Sequence, residues 1–272
     1  MNMRITLAAA LTLAACPALA TGPYAVSALL PGWSEPGGGQ VAGLSIALAP
    51  GWKTYWRNPG DAGIPPRFDW SGSENVEGVA VVWPRPHAFD SFGMRTLGYK
   101  HEVTLPLMVT PKDPALPVIL RLGFDYGVCA DICVPAHDTL TLTIAPGAIA
   151  PEAASDAPSP SDVIAAALAN RIQPAHADTM TVERCTIVGT GDARHFEGVF
   201  RPSAGFTQAP YVVVEAGDDV WFAPADVRIE DGLIHAAAQM QTMTPGTWVD
   251  RATITVTLLG EDEAVAIASC VQ

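Results

Sequence analysis

The chain has 272 residues, a net charge of −13 and five cysteines. Its 15 Lys and Arg residues are scattered without a basic run, which excludes an interface with nucleic acid built on clustered phosphate contacts. The acidic excess favours solubility and says little more.

The first residues carry one positive charge at Arg4, an apolar run over 5–15 and then Cys16-Pro17-Ala18-Leu19-Ala20. That is the layout of a secretory signal, with Ala18-Leu19-Ala20 as the cleavage site and 1–20 as the signal peptide. Leu13-Ala14-Ala15-Cys16 also fits a bacterial lipobox, which would leave Cys16 lipidated. The run is shorter than the roughly 20 residues a spanning helix needs. The expected location is the periplasm.

Segments 41–48, 78–83, 102–109, 118–124 and 139–144 read as strands, with turn signals such as Pro36-Gly37-Gly38-Gly39 and Asn58-Pro59-Gly60-Asp61 between them. Residues 145–180 turn rich in Ala, Pro, Ser and Asp, a linker composition. Within it, 161–169 reads as one short helix with Ser161 as N-cap, Asp162 in the first turn and Pro174 as a stop. Strands resume at 185–188, 197–200, 211–214, 226–229, 233–237, 252–259 and 265–268. The pattern predicts an all-β chain of two immunoglobulin-like sandwich domains, 23–147 and 181–272, joined by a Pro/Ala-rich linker over 148–180 with one short helix.

Removal of the signal leaves Cys129, Cys133, Cys185 and Cys270, an even set in an exported chain. The domain split favours the pairs 129–133 and 185–270. The second closes a loop of about 86 residues, for which chain entropy gives about 4.6 kcal/mol; the first closes about five, for about 2 kcal/mol. Cys185–Cys270 is therefore the staple. Cys129–Cys133, in a tight strand–turn–strand connection that a partner thiolate can reach, is the easier pair to reduce. Spacing alone leaves a plain hairpin staple open for this pair. Copper handling by Cys129, Cys133 and His137 is a minor alternative, since Cys-x3-Cys without two more ligands makes a poor zinc site. No metal or other cofactor is expected, and no phosphate loop or Ser–His–Asp arrangement stands out.

Four motifs then agree in order. They are Gly51-Trp52-Lys53-Thr54-Tyr55-Trp56-Arg57-Asn58-Pro59-Gly60-Asp61-Ala62-Gly63, Trp83-Pro84-x-Pro86, Tyr99-x-x-Glu102-Val103-x-Leu105-Pro106 and Cys129-Ala130-Asp131-Ile132-Cys133-Val134-Pro135. Over about residues 25–145 the chain resembles the periplasmic N-terminal domain of the thiol:disulfide interchange protein DsbD, together with the related suppressor-of-copper-sensitivity protein ScsB. The resemblance implies an immunoglobulin-like fold. It also implies a cysteine pair that takes electrons from a membrane-embedded donor of the DsbD or CcdA kind. Their recipients would be thioredoxin-fold or other disulfide-bearing periplasmic proteins, making the chain a component of protein-disulfide reduction. It implies a cap loop as well, with Phe92 as the shielding aromatic and Asp90 as its acidic neighbour; Ser91 stands where that cap carries a second acid. Cys133 becomes the partner-facing sulfur. The DsbD pair is spaced more widely than Cys-x3-Cys, and DsbD's membrane and thioredoxin-like domains have no counterpart in these residues. Trp52, Tyr55 and Trp56 read as strand and core aromatics. The contrasting reading is a non-catalytic binding or assembly module whose two disulfides are both structural.

Overall fold

A computed structural model describes residues 20–21, 24–91, 93–150, 157–203, 206, 208–217, 219–244, 247–261 and 263–270. The expected signal segment before residue 20 and the expected cap aromatic Phe92 lie outside the described residues.

The first sandwich pairs two antiparallel sheets. One runs Ala20–Thr21, Ala25–Ser34, Gln40–Leu48, Glu102–Pro111 and Val76–Val81. The other runs Cys133–Ile144, Val118–Cys129, Lys53–Gly60, Met94–Lys100 and His87–Ser91, with Arg67–Asp69 also on Val118–Cys129. Alternation sets the faces. Along Val118–Cys129 the even-numbered side chains enter the core, Leu120, Leu122 and Phe124 at zero exposure. The odd-numbered ones, Cys129 included, take the outer face. Trp56 and Leu97 come from neighbouring strands onto the core side, also fully buried. Each such side chain contributes about 1.5–3 kcal/mol through burial.

The second sandwich is built the same way. Gln173–Pro174, Ala264–Ile267, Thr255–Leu259 and Tyr211–Glu215 form one sheet. Met180–Val188, His195–Pro202, Leu233–Thr242 and Val220–Phe222 form the other, with Asp226–Glu230 also paired to Leu233–Thr242. Phe196, Phe200, Ile234 and Val256 fill its core. Cys185, on the second of these sheets, is disulfide-bonded to Cys270, which follows the last strand of the first; both lie in this core.

Four local readings need correction. The helix is Pro160–Ala169 and its N-cap is Ser159, not Ser161. Ser159 Oγ accepts from Asp162 N at 3.1 Å and the Asp162 carboxylate accepts from Ser159 N at 2.9 Å, a capping box that leaves Pro160 at the first position, where its missing N–H is harmless. The helix ends at Asn170, before Pro174 is reached. Nor does it hang in a loose tether. Ile164 is fully buried, and a Cβ on Gly43 would lie 2.8 Å from its side chain, so the missing side chain of Gly43 seats the helix on the first sandwich. Residues 251–253 form a short 3-10 turn held by Asp250, so the strand read at 252–259 begins at Thr255.

Candidate functional site

Cys129 ends one strand of a long hairpin and Cys133 begins the other; they face each other across it and are disulfide-bonded. Register continues the row sideways. Cys129 opposes Lys53, and Lys53 opposes Lys100. Cys133, Cys129, Lys53 and Lys100 thus form one line across four strands on the outer face of the second sheet. The two sulfurs are not equivalent. Cys129 is 1% exposed, whereas Cys133 is exposed and follows Ile132, an apolar side chain 65% open at the hairpin tip.

What covers Cys129 is Tyr55, two residues along from Lys53 and on the same face. Its hydroxyl donates to Cys129 Sγ at 2.7 Å and lies 3.1 Å from Cys133 Sγ. Two glycines make the room. A Cβ on Gly63, whose φ is +134°, would lie 2.5 Å from the Tyr55 ring; one on Gly127 would lie 3.1 Å from it and 2.7 Å from Ile64. Burial pushes the Tyr55 phenol above its ordinary value near 10, so it stays a donor through neutral pH. The sequence alone reads Tyr55 as a strand and core aromatic. The signal available was its odd-numbered alternation with Lys53 against Thr54 and Trp56. That pattern points at sulfur only once strand 53–60 is known to lie beside Cys129.

Lys53 Nζ donates to Thr96 Oγ1 at 3.0 Å and sits 5.3 Å from the Phe89 ring centre; Lys100 Nζ sits 4.7 Å from the same ring on its own account. Partial burial, and then the neighbouring charge of Lys100, lower the Lys53 ammonium. Asp90 lies on the adjoining hairpin, where its carboxylate takes Arg95 Nε at 2.8 Å and Nη2 at 3.2 Å. That hydrogen-bonded pairing holds the Asp90 carboxyl below the usual carboxylate range. The structure does not bring His137 to the sulfurs. It opposes Asp125, with Nδ1 2.8 Å from Oδ1, four residues from Cys133 and roughly 13 Å away along the strand. No group of three or more possible metal ligands gathers among the described residues.

Residues 27–145 match a family model, that of the thiol:disulfide interchange protein DsbD, N-terminal. The cysteine row lies within the matched residues. The matched residues include Tyr55, Lys53, Lys100 and both cysteines, and they end before the helix. Over nearly its whole length the chain is similar in fold to the crystal structure of the N-terminal periplasmic domain of ScsB from Proteus mirabilis. Identity is 17% and the TM-score 0.65, with 93% of this chain and 96% of that chain covered. The reduced-form crystal structure of the Neisseria meningitidis DsbD n-terminal domain is also similar, at 19% identity and a TM-score of 0.26, covering 44% of this chain and 90% of that one. No curated protein sequence matches the chain. No described helix is long and apolar enough to cross a membrane.

Proposed function

We propose that the chain is a periplasmic thiol–disulfide exchange module whose working pair is Cys129 and Cys133. The carrying observation is the asymmetry of the pair: Cys133 is an exposed residue, whereas Cys129 is buried and accepts the shorter hydrogen bond from the Tyr55 hydroxyl that reaches both sulfurs. In the reduced protein the Cys133 thiolate attacks a partner's disulfide. A Cys133–partner mixed disulfide forms and one partner thiolate leaves. Cys129 then attacks Cys133 Sγ, the mixed bond breaks, the second partner thiolate leaves and the pair closes. Two electrons have passed to the partner. A dithiol protein returns the pair to its reduced form by the same steps in reverse, and a membrane-embedded dithiol donor fits that role. The partner's approach is favoured by the exposed Ile132 beside Cys133. Asp90 is the acidic residue of the cap loop, and Cys185–Cys270 serves as a structural staple.

The two functions assigned to the disulfides separate by potential. The test is equilibration in glutathione buffers of graded ratio. An exchange pair equilibrates within the range of about −180 to −270 mV; a value below about −300 mV is that of an inert structural bridge and would overturn the proposal.

A further inference from the structure

One strand of the second sandwich, Tyr211–Glu215, meets the sheet of the first that bears the cysteine pair at two points. At one end the Glu215 carboxylate receives Arg57 in a two-pronged pair, Nε to Oε1 at 3.1 Å and Nη2 to Oε2 at 2.8 Å. Arg57 Nη2 also lies 3.4 Å from Thr257 Oγ1, and its guanidinium stands 4.0 Å from the ring centre of the fully buried Trp56. At the other end the Tyr211 ring lies 5.7 Å from the Arg95 guanidinium. Arg95 holds Asp90, and its backbone exchanges two hydrogen bonds with Asp61, Arg95 N to Oδ2 at 2.6 Å and Asp61 N to Arg95 O at 2.9 Å. Gly60, at φ +82°, lets the pieces close: a Cβ there would lie 2.5 Å from Arg95 O and 3.4 Å from Tyr211 Oη. Val213, between the two ends, is buried in the first sandwich's core.

Everything gripped leads back to sulfur. Arg57 is two residues from Tyr55 on the same strand. The turn through Gly60 and Asp61 leads to Gly63, against which the Tyr55 ring rests. An exposed ion pair would be worth little, but a half-buried two-pronged Arg–carboxylate pair fixes geometry as well as charge. Packed elements pass such constraints on because they have no slack to absorb them. Resting on the exchange function proposed above, we propose that Glu215 and Arg57 are positioning residues. Through them the second sandwich sets Tyr55 against Cys129 and thereby tunes exchange at the pair.

The test uses the full chain, with the thiol–disulfide equilibrium against glutathione as readout and thermal unfolding as control. Glu215→Gln removes the charge at constant size. Arg57→Lys keeps the cation and removes the fork. Each is expected to change the equilibrium constant at least threefold, which is about 14 mV for two electrons, while the protein stays folded. In a Tyr55→Phe background the same substitutions are expected to change it less than 1.5-fold, because they act through that hydroxyl. An unchanged equilibrium in either folded variant overturns the inference, as does a shift that persists undiminished beside Tyr55→Phe. If neither variant folds, the pair belongs to folding alone and the inference falls. A parent chain whose Cys129–Cys133 bond resists glutathione altogether refutes the exchange function itself, which is a distinguishable result.

Discussion

Replacing Tyr55 by Phe removes one oxygen and leaves the ring between Gly63 and Gly127 in place. In the oxidised protein that oxygen faces a neutral sulfur, where a hydrogen bond contributes about 0.5–1.5 kcal/mol. Once the pair is reduced and one sulfur ionises, the same donor, within reach of both, faces a charge, for which the contribution is about 1.5–3 kcal/mol. The difference, about 1–1.5 kcal/mol, stabilises the reduced form. At about 30 mV per 1.4 kcal/mol for a two-electron couple, Tyr55→Phe is expected to make the pair about 20–30 mV more reducing. The sign follows from which state loses the donor's help. The gap should fade in acid, where the sulfur carries its own proton whatever residue faces it. It should persist through mildly alkaline pH, because burial raises the Tyr55 phenol and keeps it protonated. The assay is glutathione equilibration read by alkylation of the free thiols, at several pH values. A potential unchanged within 5 mV, or one shifted to more oxidising values, would refute the reasoning that Tyr55 serves the thiolate.

Gly127→Ala drives a Cβ to 2.7 Å from Ile64 and 3.1 Å from Tyr55; chemical denaturation should show a loss of about 1–3 kcal/mol, with slower exchange because the hydroxyl is displaced. Cys185→Ser with Cys270→Ser should cost about 2–5 kcal/mol, whereas Cys129→Ser with Cys133→Ser should cost no more than about 2 kcal/mol; equal losses by denaturant titration would contradict the division into staple and working pair. Lys53→Met removes the cation opposite Cys129, so a neutral alkylating agent should react with the reduced pair about two- to fivefold more slowly at pH 7. That difference should shrink at high salt and at high pH. Burial and Lys100 lower the Lys53 ammonium, so its charge fades at a lower pH than an open lysine's does.

How far the sequence reached depended on distance along the chain. Strands 118–129 and 133–144 were legible in part because their alternation and the Cys-x3-Cys turn are local. Strand Lys53–Gly60 was visible only as a motif, since Asn58-Pro59-Gly60 reads as turn chemistry while the residues before it pair with Met94–Lys100 and with the end of Val118–Cys129. The Tyr55–Cys129 contact spans 74 residues, and no local pattern specifies which partner a strand finds. The helix misled in the opposite way. Its Ala- and Pro-rich flanks look like a linker, but the burial of Ile164 is decided by the missing side chain of Gly43, over a hundred residues earlier. The contact of Glu215 with Arg57 could not be foreseen at all, because it depends on how two separately predictable sandwiches meet.

The central claim is that Cys133 is the sulfur a partner meets and Cys129 the one that resolves the bond. The direct measurement is covalent capture on the Cys129→Ser and Cys133→Ser chains, each reduced, mixed with a periplasmic extract and read by mass spectrometry of disulfide-linked species. The account predicts stable mixed disulfides at Cys133 in the Cys129→Ser chain and at least tenfold fewer in the Cys133→Ser chain. Equal capture by both, or capture through Cys129 alone, would contradict it.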